Sequence, residues 1–171
     1  MTKRIFDFAV ASVLLVLLLG LMVVIAVVIA VTMGRPVLFR QRRPGKHGRI
    51  FVLYKFRTMK SCLDTDRVMP SNADRIEPTG RFLRRTSLDE LPQLWNVIRG
   101  DMSLVGPRPL HIEYLPCYTD RERKRHDVPP GMTGLAQVSG RNLLSWDERL
   151  ELDVQYVETR CWSMDILILL R

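Results

Sequence analysis

From Phe8 to Met33 the chain carries no charged residue. At about 1.5 Å rise per residue a helix of that length reaches about 39 Å, beyond the roughly 30 Å hydrocarbon core of a bilayer. The pattern predicts a membrane-embedded helix. The apolar stretch is too long for an export signal, and no small-x-small cleavage site leads into an export-like sequence, so a retained anchor is expected. Past it the period changes. Val37 to Gln41 and Ile50 to Phe56 are β-prone runs joined by Pro44-Gly45-Lys46-His47-Gly48, which predicts a hairpin just under the membrane. Ser61 to Thr79 is polar and aperiodic, an exposed connection with some helix. Leu88, Leu91, Leu94, Trp95 and Ile98 recur at helical spacing up to Gly100, with Asp89, Gln93 and Asn96 on the other face. Val128 to Arg141 is turn-rich, with a short strand expected at Leu135 to Val138. Ser145-Trp146-Asp147-Glu148 is a capping box that opens a helix to about Thr159, striped by Leu150, Val154 and Val157. The closing run Trp162 to Leu170 packs on the bilayer interface or continues a membrane-associated helix. It ends at Arg171, which leaves room for a further segment.

The flanks of the apolar stretch complicate a straight span. Lys3 and Arg4 precede it, while Arg35, Arg40, Arg42, Arg43 and Lys46 follow it. Positive residues favour the cytoplasmic face, so a straight span strands one cluster on the wrong side. A re-entrant helix satisfies both flanks but needs a break, and Gly20 is the only candidate near the middle. The residues alone leave both topologies open. The expected organisation is a membrane-embedded helix over 1–34 and one small catalytic domain over 35–171, of mainly helical α+β class with a short β-hairpin and interfacial helices.

A net charge of +8 favours an anionic partner: nucleic acid, an anionic bilayer face or a phosphorylated substrate. Nine Lys or Arg and no acid lie between Arg35 and Lys60. Arg40, Arg42, Arg43, Lys46 and Arg49 read as a solvated or headgroup-binding face. Lys55 and Arg57 alternate with apolar residues and share a strand face, which makes them the better phosphate candidates. Arg121 to Arg125 mixes signs, a solvated helix face rather than a nucleic-acid patch. Cys62, Cys117 and Cys161 lack metal or disulfide spacing, and His47, His111 and His126 are scattered, so a zinc site is not expected.

The densest chemistry is Ser87-Leu88-Asp89-Glu90-Leu91-Pro92, followed by Pro107-Arg108-Pro109. Ser87 and Glu90 fit a plain capping box, although Pro92 moves the start of a regular helix nearer Asp89. Adjacent carboxylates beside arginines also suit phosphoryl transfer. One can attack phosphorus while its neighbour holds Mg²⁺, and a guanidinium fork binds phosphate bidentately. Pro-Arg-Pro can equally be a rigid turn. Asp153 is either an i,i+4 partner of Arg149 or a further carboxylate facing the site.

In these blocks, and in Lys3-Arg4-Ile5-Phe6-Asp7, Tyr54 to Met59, Pro130 to Gly134, Gly140-Arg141-Asn142 and Glu151 to Val154, the chain resembles the small monotopic polyprenyl-phosphate phosphoglycosyl transferases, the bacterial sugar transferase family. The resemblance implies transfer of a phosphosugar from a UDP-sugar to polyprenyl (undecaprenyl) phosphate at the cytoplasmic face of a bacterial inner membrane, initiating glycoconjugate synthesis. It implies Asp89 as nucleophile and Glu90 as its partner and Mg²⁺ ligand. Lys55, Arg84, Arg108, Gln137, Arg141 and Asp153 would shape the phosphate and nucleotide site. Membrane lipids are implied partners, nucleic acid is not, and a homo-oligomer is compatible. The family's membrane helix is re-entrant and broken by a proline; here the matching region, Leu17 to Met22, has none. The family often has tryptophan where Leu135 stands. Two other readings remain: direct attack by the lipid phosphate with Asp89 as base, and a membrane-tethered anion-binding module without catalysis.

Overall fold

A computed structural model describes residues 2–59, 76–140 and 143–171. The apolar segment forms α1 (Thr2–Thr32), continuous through Gly20. With no proline to remove a backbone donor, a lone glycine is too weak a breaker to interrupt it. Its buried positions, Asp7, Ala11, Ile25 and Ile29, fall on one stripe. Leu15, Leu18, Met22 and Ala26 continue that stripe against the domain. Val16, Leu17, Val24 and Val31 are exposed on the other side. The helix therefore lies along the domain.

Both ends of α1 are pinned. At the start, Lys3 Nζ donates to Asp165 Oδ2 at 2.7 Å, Arg4 donates to the carbonyls of Val97 and Ile98, and Ser103 Oγ donates to Asp7 Oδ2 at 2.7 Å. At the far end, Ile25, Ile29 and Met33 pack with Phe56 and Leu83. There the buried Arg57 guanidinium donates to the carbonyls of Met33, Gly34 and Arg35. These carbonyls lie just past the helix end, where no further helical turn supplies them with a donor.

The hairpin is present as β1 (Leu38–Pro44) and β2 (Ile50–Phe56), antiparallel from Leu38↔Phe56 to Pro44↔Ile50. α2 (Pro78–Thr86) and α3 (Gln93–Arg99) follow, joined through a 3-10 turn at Leu88–Glu90. β3 (Ser103–Val105) pairs in parallel with β4 (Gly131–Thr133), and between them lies the short α4 (Asp120–Arg123). Gly131 is required there, because a Cβ would sit 2.1 Å from the Gly106 nitrogen. α5 (Leu135–Ser139), α6 (Trp146–Thr159) and α7 (Trp162–Leu169) complete the chain.

Two expectations are corrected. Leu135 to Ser139 is helical, not a strand: β3 runs out at Val105, and Pro107 beyond it has no N–H to extend the ladder. α3 begins only at Gln93, after Pro92, so Asp89 and Glu90 lie in the turn before it. The capping box of α6 forms as its sequence predicts, with Ser145 and Glu148 reciprocally bonded.

Candidate active site

Ser87 sits at φ 57°, in the left-handed region, and ends α2. Its backbone N–H closes on the carbonyls of Leu83 and Arg84, and its side chain caps nothing. The expected Ser87–Glu90 capping box is therefore absent: a residue already in left-handed conformation cannot also serve as the extended N-cap. The sharp exit from α2 instead throws the next turn back toward β2. Asp89 and Glu90 face a cavity of about 610 Å³ whose cationic lining is Arg43, Lys55, Arg57, Arg84 and Arg108. Among the described residues, five cations against two carboxylates leave three positive charges in surplus.

Asn96 sets the register of this arrangement. It is fully buried, donates from Nδ2 to the Val52 carbonyl at 2.7 Å and accepts from the Tyr54 N–H at 3.1 Å. It thereby satisfies the edge of β2 that β1 does not cover, and it ties α3 to the strand that carries Lys55. Gln93 is buried beside it while Trp95 is exposed, so part of the polar face of α3 points inward. α2 is fixed by close approach: a Cβ on Gly80 would lie 2.0 Å from the Thr58 carbonyl oxygen. That contact brings Arg84 within reach of Thr58, to whose hydroxyl it donates at 2.8 Å.

The two carboxylates differ sharply. Glu90 Oε1 accepts from Lys55 Nζ at 2.8 Å and from Arg108 Nη2 at 2.6 Å. Burial pushes the Glu90 carboxyl up, but Arg108 and then Lys55 outweigh it and hold it at about 2. Asp89 is buried, and among the described residues no side chain donates to it. Burial raises its carboxyl above the usual range; Glu90 adds to this, while Lys55 and Arg84 pull the other way. Burial and then the neighbouring Arg108 push the Arg43 guanidinium below its ordinary value, since both disfavour a further positive charge there.

A second layer holds Arg108. Arg125 is buried and donates to Asp153 Oδ2 at 2.5 Å, to the Tyr118 hydroxyl at 3.0 Å and to the Arg108 carbonyl at 2.8 Å. Asp153 therefore neither pairs with Arg149 nor faces the carboxylates. Burial pushes its carboxyl up while Arg125 pulls against it. Arg125 is not part of a solvated face as expected, because Asp153 and Tyr118 draw it inward; Arg121 and Lys124 do stay outside, paired with Glu151 and Glu158.

Lys55, Arg84, Arg108, Asp89 and Glu90 thus meet in one cavity. Arg57, expected to bind phosphate with Lys55, lines the same cavity and also donates to the carbonyls that follow α1. Gln137 lines a different cavity with Thr133, Val138 and Leu143. Arg141 lies outside the described residues. Arg43, which the sequence places on the basic face, donates instead to the Pro109 carbonyl at 3.3 Å and to Gln41 Oε1 at 2.7 Å inside the site. The alternation Phe39, Gln41, Arg43 along β1 carries that signal.

Residues 1–171 match the family described as bacterial sugar transferase. The chain is 47% identical over 167 residues to the uncharacterized sugar transferase EpsL of Bacillus subtilis, covering 98% of this chain and 83% of that protein. It is 40% identical over 186 residues to the undecaprenyl-phosphate galactose phosphotransferase of Salmonella typhimurium, covering 99% and 39% respectively. It is 39% identical over 173 residues to the UDP-glucose:undecaprenyl-phosphate glucose-1-phosphate transferase of Escherichia coli, covering 95% and 37%. The chain spans well under half the length of these last two proteins.

Proposed function

The chain belongs to the bacterial sugar transferase family, and on that premise we propose that it moves a phosphosugar from a UDP-sugar to polyprenyl phosphate through a covalent intermediate on Asp89. The observation that carries the proposal is the division of labour between neighbours: Glu90 is locked and ionised by two cations, while Asp89, in the same cavity, has no side-chain donor among the described residues. Asp89 Oδ attacks the phosphorus that bears the sugar. The bond from that phosphorus to the bridging oxygen breaks, and UMP leaves with its electron pair. An oxygen of polyprenyl phosphate then attacks the same phosphorus, breaks the acyl-phosphate bond and frees Asp89 as a carboxylate. Arg108, Arg84, Arg43 and Lys55 offset charge on the phosphate oxygens. Glu90 supplies hard carboxylate oxygens of the kind that suits Mg²⁺, a cation that keeps several waters, and in exchange for a bond to Lys55 or Arg108 it would hold the ion to neutralise charge developing on the phosphate.

Two features support a membrane-surface setting with both ends of α1 on one side. The helix is long and apolar, and its start and end dock on the same domain, through Lys3 and Arg4 at one end and Arg57 at the other. A helix that crossed the bilayer fully would carry one of these contacts away from the domain. The basic flanks agree. Release of UMP from a panel of UDP-sugars, with and without polyprenyl phosphate, tests the reaction. Acceptor-dependent turnover with one or more of them is expected, and its absence with every donor would overturn the assignment.

A further inference from the structure

The cavity around Asp89 has two unlike ends. At one, Phe39, Phe56 and Met59 line it, and Phe56 packs in a cluster with Ile25 and Ile29 of α1 and Met33 just after it. That end is apolar and adjoins the membrane helix, so it suits the hydrocarbon of a lipid acceptor. At the other, Arg43 Nη2 lies 3.3 Å from His111 Nε2, and Gln41 Nε2 lies 3.4 Å from His111 Nδ1. A neutral imidazole accepts through one nitrogen only, so His111 serves one of these donors at a time. From His111 a line of rings leads outward: His111 to Tyr114 at 6.1 Å between centroids and 82°, then Tyr114 to Trp146 at 5.3 Å and 54°. Tyr114 and Trp146 are 38% and 50% exposed. Their company is polar: Arg149 lies over the Trp146 ring and Glu113 stands near His111. Trp162, by contrast, packs on Phe6 beside the apolar exposed Ile166 and Leu167.

We infer that His111, Tyr114 and Trp146 form the nucleoside subsite, on which the uracil of the UDP-sugar donor and of departing UMP stacks; this rests on the reaction proposed above. One imidazole separates Tyr114 from the phosphate-facing Arg43, much as a ribose separates a base from its first phosphate. Partly exposed aromatic rings in a cationic setting are the chemistry that holds a base, and such stacking is sequence-tolerant and strong enough to measure. The subsite fixes the direction of the donor: base toward Trp146, phosphosugar toward Asp89, lipid acceptor entering from the α1 end.

The test uses the full chain in detergent or nanodiscs. UMP and inorganic pyrophosphate binding are measured calorimetrically for the parent, Tyr114→Ala, Trp146→Ala, Trp146→Phe and the distant Trp162→Ala. Melting temperatures establish that each variant is folded. Tyr114→Ala and Trp146→Ala should each weaken UMP binding about 5- to 100-fold. Trp146→Phe should recover most of the loss, and pyrophosphate binding should stay within twofold throughout. UMP affinity within twofold of the parent in both alanine variants, or pyrophosphate affinity falling in parallel, would overturn the subsite. UMP release by the parent is measured in the same preparation. If release is normal and UMP binding is indifferent to Tyr114 and Trp146, only the subsite fails; if no UDP-sugar yields UMP, the reaction itself fails.

Discussion

Two carboxylate–arginine pairs sit one layer apart, and they do opposite work. Asp153 and Arg125 are sealed from solvent, with side chains 5% and 1% exposed. Glu90 and Arg108 stand at the wall of an open cavity, with Arg108 43% exposed. In the sealed pair a single arginine opposes the cost of burial, and the Asp153 carboxyl is pushed up. In the open pair Lys55 adds a second cation, burial is overcome, and Glu90 is held at about 2. The sealed pair is scaffold: its arginine holds the Arg108 carbonyl in place. The open pair is poised for ligand, since its guanidinium still faces the cavity. A buried ion pair therefore marks function only where its geometry leaves a charge something further to bind.

Breaking the sealed pair should have the largest effect on folding. Asp153→Asn leaves Arg125 as an uncompensated buried cation, and denaturant unfolding in micelles should show a loss of about 3–5 kcal/mol. A loss under about 1 kcal/mol would mean that the pair is not sealed in solution. Glu90→Gln should do the reverse. It should cut kcat/KM by about 10² or more, roughly 2.7 kcal/mol of transition-state stabilisation, while the protein stays folded. Near-parental turnover at low Mg²⁺ would reduce Glu90 to a structural residue. Asn96→Ala should cost about 2–3 kcal/mol of stability, because the Tyr54 N–H and Val52 carbonyl lose their partner.

The smallest effect is a pH dependence with a fixed sign. The folded Glu90 carboxyl, at about 2, lies below its ordinary 4.5. Its contribution is therefore complete above about 4.5 and is lost as pH falls from there through 2. After screening at a partly open site this amounts to roughly 1–2 kcal/mol. Unfolding curves across that window should slope for the parent and flatten for Glu90→Gln, and equal slopes would contradict the pairing.

The legible parts of this molecule are those set by local chemistry. The hairpin follows from β-prone runs about a Pro-Gly turn, α6 from its Ser145–Glu148 box, and the end of α3 from Gly100, at φ 90°. The carboxylate pair and its arginine were legible through their motifs. What the chain hides depends on distant partners. Arg125 sits in a mixed-charge run and reads as solvated, because Asp153 lies 28 residues away. Asn96 reads as surface, since nothing local shows that an uncovered strand edge awaits it. Ser87 looks like an N-cap, but it closes α2 as a left-handed C-cap instead.

The central claim is that Asp89 becomes covalently loaded. The protein incubated with its UDP-sugar and Mg²⁺, without polyprenyl phosphate, and then digested for mass spectrometry, tests it most directly. The peptide containing Asp89 should gain the mass of one phosphosugar with release of UMP, and Asp89→Asn should show neither. An unmodified peptide, with no exchange of labelled UMP into UDP-sugar, from protein that turns over normally once the lipid is added, would contradict the account and assign the attack on phosphorus to the lipid phosphate.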